Sequence, residues 1–209
     1  MKLISLLSSG IDSPVATYLL SRKADELILI HGDIRPFTDE KEIKKFLNIA
    51  KHIKKSYKGK IKVYLTPHGA SLSEFKQKCN QRFTCVFCKR MLLRYAEKIA
   101  QIEKADAIIM GDSLGQVASQ TLHNIQTIEQ AVKIPIFRPL IGFDKEDVVK
   151  IAKEIGTYDL SILPSKDCSA VPKRPLTMAK LDKIIEQENK LDIAKLVDFA
   201  VKNSKQISI

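Results

Sequence analysis

The chain has 209 residues, of which 44% are hydrophobic and 28% charged, and a formal net charge of +11. That length gives one large domain, or one domain with an appendage, and enough apolar side chains for a substantial core. No apolar run approaches the ~18 residues of a membrane span and the first helix-like segment lacks a signal-peptide layout, so no membrane partner is expected and a cytoplasmic location is. The positive balance favours a polyanionic partner, nucleic acid first. There is no Trp and aromatics reach only 6%, which weighs against base stacking on an aromatic platform.

In chain order, a strand at 3–7 runs into Ser8-Ser9-Gly10-Ile11-Asp12-Ser13 and then a helical pattern near 14–22. A strand, a Ser/Gly turn and a helix start present unpaired N–H groups and a positive helix end to an anion. It is neither the Walker loop nor the dinucleotide fingerprint. From these six residues, a phosphate cradle and an ordinary capped junction are both open. A strand at 26–30 leads to His31-Gly32, and a helix near 39–57 carries Lys41, Lys44, Lys45, Lys51, Lys54 and Lys55. Those lysines read either as a solvated helix face or as an RNA-binding surface. A strand at 61–65, helices near 69–80 and 88–104, a strand at 106–110, a helix near 115–132 and a weaker strand at 135–138 follow. Asp144 opens a helix through Ile155, closed by Gly156 at C′. An irregular stretch at 158–175 and helices near 176–190 and 192–203 finish the chain. Apolar strands alternating with helices predict an α/β fold, a doubly wound parallel sheet of Rossmann-like type. Ligands of such sheets gather beyond the strand C-termini, where the opening loop, His31-Gly32, Gly111-Asp112 and Arg138-Pro139 fall.

The cysteines are Cys79, Cys85, Cys88 and Cys168. In a reducing compartment they point to metal binding, catalysis or burial rather than a disulfide framework. Cys85-Val86-Phe87-Cys88 lies at a helix start with Lys89 and Arg90 next to it, a setting that favours thiolates. The pair reads as a redox couple, half a zinc site, two ligands of an iron–sulfur cluster, or a purely structural feature. With Cys168 as a third ligand, a [4Fe-4S] cluster would keep one iron open. In the segment 110–121, Gly111 and Gly115 permit close backbone approach, while Asp112, Gln116 and Gln120 supply polar groups; a capped helix start with exposed glutamines fits the same residues. Cys168 near Lys173-Arg174 suits a reactive thiol, or an exposed basic loop. His52, His68 and His123 receive no role.

The series Ser8-Ser9-Gly10-Ile11-Asp12-Ser13-Pro14-Val15-Ala16 resembles the pyrophosphate loop (PP-loop) of the alpha-type ATP pyrophosphatases. Cys88-Lys89-Arg90-Met91-Leu92-Leu93-Arg94, the block from Gly111 to Leu122, Arg138-Pro139-Leu140-Ile141 and Gly156-Thr157-Tyr158 narrow the resemblance to the tRNA 4-thiouridine synthetase (ThiI) family. It covers essentially the whole chain and implies a PP-loop domain at 1–175 with a helical extension of that domain at 176–209. It implies ATP contacts by Leu6, Leu7, Ser8, Ser9, Gly10, Asp12, Ser13, His31, Gly32, Lys89, Gly111 and Gln120, and Arg90 beside Lys89 is a further candidate for holding phosphate. Cys168 falls at the family's catalytic cysteine, with Asp12 and Asp112 as further catalytic candidates and Mg²⁺ beside ATP. The implied reaction adenylates the 4-carbonyl of a tRNA uridine (position 8 in the family), releases pyrophosphate and replaces AMP by sulfur. In the cluster version of sulfur delivery, Cys85, Cys88 and Cys168 hold iron and sulfide is the donor; the other version uses a persulfide. Sulfur transfer to a thiamine thiazole precursor, and nucleotide binding without thiolation, are the competing readings.

Two departures qualify the resemblance. The loop has Ser9 where the family has Gly, which costs on the order of 1 kcal/mol if that position needs positive φ. The chain begins at its first strand and has no residues to spare for a rhodanese domain. The expectation is therefore a THUMP-type RNA-binding partner on a separate protein, or tRNA binding by the basic helix; a homodimer is left open.

Overall fold

Helices cover the sheet on both sides, which is why its strands are near-continuous apolar runs. A computed structural model describes all 209 residues, Met1–Ile209. The elements are β1 Lys2–Leu6, α1 Asp12–Ser21, β2 Glu26–Asp33, α2 Glu40–Ser56, β3 Lys60–Pro67, α3 Gly69–Lys78, α4 Thr84–Glu103, β4 Ala107–Ile109, α5 Leu122–Glu129, β5 Ile136–Phe137, α6 Lys145–Glu154, α7 Tyr158–Ser161, α8 Leu181–Glu188, α9 Ile193–Lys202 and β6 Lys205–Gln206. The sheet order is β5-β4-β1-β2-β3-β6. The first five strands are parallel, as expected, while β6 pairs antiparallel with β3, Tyr64 facing Gln206.

Successive strand residues point to opposite faces. Leu3, Leu27, Leu29 and Ile109 pack against Val15 of α1, Phe46 and Ile49 of α2 and Val148 of α6. Ile4, Ile28, Ile30 and Ile108 face Phe75 of α3, Phe87, Met91 and Tyr95 of α4, Ile184 of α8 and Ala200 of α9. In α2 the buried residues Ile43, Phe46, Ile49, Ala50 and Ile53 recur at helical spacing, so its lysines project from the other face. The Asp39 side chain caps this helix by accepting from the Lys41 and Glu42 N–H groups. Gly156 closes α6 with φ 73°, the left-handed C′ position expected of it. No helix is long and apolar enough to cross a membrane.

Three departures from the sequence reading have local causes. The helix expected near 115–132 begins only at Leu122, because Gly115 takes φ 76°, a 3₁₀ turn occupies Ala118–Gln120, and the Thr121 side chain caps α5 from the Asn124 N–H. The helix expected from 176 begins at Leu181. The carbonyls of Leu176, Thr177 and Ala179 instead accept hydrogen bonds from the Asn124, Thr121 and Thr127 side chains at 2.7, 2.5 and 2.7 Å. The stretch read as irregular holds the short helix α7.

Because β1 lies between β2 and β4, the chain leaves it toward one edge first and the other later. The crevice at this reversal lies beyond the C-terminal ends of β1 and β4. It receives the Ser8–Ser13 loop and Gly111-Asp112.

Candidate active site

The loop between β1 and α1 is tied by its own serines. The Ser8 N–H donates to Ser13 Oγ at 2.8 Å, the two hydroxyls lie 2.9 Å apart, and the Gly10 N–H donates to Ser8 Oγ at 3.2 Å. Helix α1 has no side-chain cap, so its first-turn N–H groups are left for an anion. Lys104 is the sole non-glycine residue with positive φ. Ser9 therefore occupies ordinary backbone, and the strain contemplated for a serine there does not arise.

Gly111 follows β4 and packs against the same loop. A Cβ at this position would lie 2.7 Å from both Cα and N of Ser13, a distance real side chains do not show. Only glycine lets the β4 terminus reach the α1 N-terminus without displacing backbone. The next residue, Asp112, is 4% exposed. It accepts from Lys89 Nζ at 2.6 Å on one carboxylate oxygen and from Arg138 Nε at 3.3 Å on the other. Burial works to raise its pKa, but the Lys89 and Arg138 charges outweigh that and hold the carboxyl below its usual range. With both oxygens engaged, Asp112 anchors Lys89 rather than standing ready as a base. Asp12 pairs with Lys145 at 2.5 Å. Sequence reasoning missed Lys145 and noted Arg138 for its place at the sheet edge and in a family motif, without giving its side chain a role.

Two buried polar atoms have no partner in the protein: Gln120 Oε1 and Arg138 Nη2. A buried group of this kind costs about 1–3 kcal/mol unless something satisfies it. Gln120 is one of the residues the sequence reading placed on ATP. The uncapped helix, the serine ring, Lys89 and the open amide of Gln120 together suit a nucleoside triphosphate.

Other expectations change. Arg90 was expected on phosphate, but its side chain is buried. Its Nε and Nη2 donate to Glu188 at 2.8 and 2.9 Å, and its Nη1 to the Thr127 carbonyl. Arg94 completes a second bidentate pair to Glu188, both contacts at 2.8 Å. Arg90 thus clamps α4 to α8, with each of its three nitrogens already engaged inside the protein. His31 lies within β2 rather than beyond its end. Its Nδ1–H donates to the Leu7 carbonyl at 2.9 Å, its Nε2 meets Glu42 at 2.8 Å, and its ring stacks on Phe46. Leu7 is buried in the core beside α2. Contacts to a nucleotide from Leu7 and His31 would therefore come from the main chain.

Helix α4 starts at Thr84, which puts Cys85 and Cys88 in its first turns, immediately before Lys89. Cys88 and Cys168 pack against the same core cluster. All four cysteines are free thiols. The helix start and neighbouring cations were expected to favour thiolates, and the structure reverses this. Burial pushes the Cys88 thiol up to about 12, with Cys168 and Cys85 adding to the effect, and raises Cys85 as well. Cys88 Sγ lies 3.2 Å from His68 Nε2; His68 Nδ1 is 3.1 Å from the Tyr95 hydroxyl, which in turn is 2.7 Å from Ser71 Oγ. Burial lowers the His68 pKa to about 3, so its ring stays neutral. No sequence motif marked His68 or Tyr95, since the pairing joins the start of α3 to the middle of α4. Cys79 stands apart, its thiol donating to the Gln187 carbonyl at 3.3 Å. The three thiols are the right donors in kind for a cluster, but no group of three metal-ligating side chains is drawn together in this conformation.

Residues 1–193 match the family model described as thiamine biosynthesis protein (ThiI). A probable tRNA sulfurtransferase of Alkaliphilus metalliredigens is 40% identical over 202 residues, 96% of this chain and 51% of the relative. One from Methanothermobacter thermautotrophicus is 42% identical over 193 residues, 92% and 50% of the respective chains. Among solved structures, a 4-thiouridine synthetase–RNA complex with bound ATP superposes with a TM-score of 0.94 at 33% identity, covering 99% of this chain and 54% of that one. The chain thus spans about half the length of the curated relatives it matches.

Proposed function

The chain belongs to the ThiI family, and on that premise we propose that it transfers sulfur to a uridine of tRNA in an ATP-dependent reaction that gives 4-thiouridine. One observation carries this reading. The start of α4 bears Cys85, Cys88 and Lys89 in succession, and Lys89 is salt-bridged to Asp112, whose neighbour Gly111 rests on Ser13. A single helix thereby joins the phosphate cradle to the thiols.

The uridine 4-carbonyl oxygen is a poor leaving group, so it must first be activated. That oxygen attacks the α-phosphate of ATP, forming a C–O–P linkage as pyrophosphate departs. The α1 N–H groups and the hydroxyls of Ser8, Ser9 and Ser13 receive the charge developing on pyrophosphate, and Lys89, fixed by Asp112, adds a cation to it. A sulfur nucleophile then attacks C4 and AMP leaves with the oxygen. Mg²⁺ would be held by Asp12 beside the triphosphate and would neutralise the leaving group's charge. Cys85, Cys88 and Cys168 are the residues that would hold an iron–sulfur cluster, which would bind externally supplied sulfide for the transfer, and the high-pKa thiols would lose their protons on binding iron. Partners of this reading are tRNA and a sulfide source. A second reading, sulfur transfer to a thiamine precursor, draws support from the description of the matching family model.

Mass spectrometry of nucleosides tests the proposal. Protein incubated anaerobically with ATP, sulfide and tRNA should yield 4-thiouridine; unmodified tRNA from protein that still binds ATP would overturn it. Anaerobic reconstitution with iron and sulfide should give cluster absorbance that Cys85→Ser or Cys88→Ser abolishes, and absorbance retained in both variants would remove the cluster.

A further inference from the structure

A cleft of about 610 Å³ lies between the segment entering α4 and the loop that follows Cys168. One wall carries Lys76, Gln81 and Arg82, the other Ser169, Lys173 and Arg174, and none of its lining residues is acidic. The clefts beside Glu74 and Asp192, beside Glu97 and Asp198, and beside Glu146 all mix the two signs. The cations here also have no carboxylate partner. Arg82 spends only its Nε, on the Arg174 carbonyl at 3.4 Å, and Lys76 lies over the Phe37 ring. The walls are held in place: the Leu176 N–H donates to the Arg82 carbonyl at 3.3 Å, and the Ser169 N–H and hydroxyl to the Phe37 carbonyl at 2.9 and 3.1 Å. Each wall runs directly into a cysteine, Arg82 three residues before Cys85 and Ser169 immediately after Cys168.

We propose that this cleft grips the phosphodiester backbone of the RNA substrate and aims the target base at the thiols. The inference rests on the reading of the chain as a tRNA-modifying enzyme and adds the surface on which the RNA lies. Forked guanidinium groups suit phosphate oxygens, and the neutral polar groups of Gln81 and Ser169 suit ribose and phosphate. The cleft offers no aromatic face for stacking, so contact here is to backbone and carries no sequence information. The lysines of α2, by contrast, lie on the face opposite its buried side.

The test is fluorescence anisotropy of labelled tRNA against the full chain across a salt series. It compares wild type with Lys173→Gln/Arg174→Gln, Lys76→Gln/Arg82→Gln and the α2 control Lys51→Gln/Lys55→Gln. Each cleft pair should flatten the slope of log K against log salt by about 1.4–1.8, the counterions released by two phosphate contacts. At low salt each cleft pair should weaken binding by about tenfold or more, while ATP binding stays at the wild-type level and the control pair changes the slope far less. Equal losses in the control, unchanged binding in the cleft variants, or no tRNA binding by wild type would overturn the proposal. So would a loss in binding labelled poly-L-glutamate with tRNA binding intact, which would assign the cleft to an acidic protein. Nucleoside analysis separates this claim from its premise. Binding through the cleft without 4-thiouridine removes the functional reading, while thiolation at the wild-type rate in both cleft variants removes the cleft alone.

Discussion

Replacing Gly111 with alanine probes the joint between the two loops of the site. The added methyl would lie 2.7 Å from Cα and N of Ser13, whereas ordinary contact begins at 3.4 Å, so backbone must retreat by about 0.7 Å. No flexible side chain can absorb this. Either the β4 terminus backs away, pulling Asp112 and Lys89 with it, or the α1 N-terminus moves and the serine ring opens. Overpacking of this kind costs about 1–3 kcal/mol, so the urea midpoint of Gly111→Ala should fall measurably while the protein still folds. The larger effect should be on ATP. Misplacement approaching 1 Å at a positioned group costs on the order of 10²-fold in rate, and ATP affinity by calorimetry should drop at least about tenfold. Wild-type ATP affinity in Gly111→Ala, with an unchanged urea midpoint, would refute the close approach and the role given to it.

Adjacent Lys89 and Arg90 should separate cleanly. Arg90→Ala leaves Glu188 paired to Arg94 alone and the buried Thr127 carbonyl without its donor, and should cost about 1–3 kcal/mol of stability, whereas Lys89→Ala should mainly weaken ATP binding; urea melts and calorimetry on both variants check this. Asp112→Asn strands two cations and should cost about 3 kcal/mol, the lower end because Lys89 is partly exposed. The Asp112 carboxyl has its folded pKa held below 3.8. Its contribution should therefore be complete above about pH 4 and disappear as pH falls through the folded value, so the gap in urea midpoint between wild type and Asp112→Asn closes in acid. Ser9→Gly should leave ATP affinity within about twofold and lower stability by about 0.4–1 kcal/mol through the freer unfolded chain. A gain in stability would place Ser9 in strained backbone after all.

Parts of the molecule were legible for definite reasons. Strands β1 and β2 bury both faces, so runs such as Leu27 to Ile30 could be read without knowing their partners. Gly156 announced the end of α6, since few other residues take φ near 73° readily. Strand β6 was not legible: its two residues are exposed, and only the folded edge of β3 makes them a strand. The Arg90 error has a geometric source. Consecutive helical residues point about 100° apart, so Lys89 reaching the sheet edge at Asp112 obliges Arg90 to face elsewhere, here Glu188 on α8. The thiol chemistry was misread because a helix start and two cations are visible in sequence, whereas the burial that overrides them depends on α3, α4 and the Cys168 loop closing together. Gln120 was recognised from the Gly111–Leu122 block, but its unsatisfied amide oxygen is visible only once the chain is folded.

The central claim is that phosphate chemistry at the PP-loop and sulfur chemistry at the cysteines are separate steps joined by the start of α4. Following pyrophosphate release and 4-thiouridine formation in parallel, with ATP, sulfide and tRNA supplied to Cys168→Ser, tests this most directly. The account predicts tRNA-dependent pyrophosphate release near the wild-type level with 4-thiouridine lost. Thiolation persisting in Cys168→Ser, or pyrophosphate release disappearing together with it in a variant that still binds ATP, would contradict it.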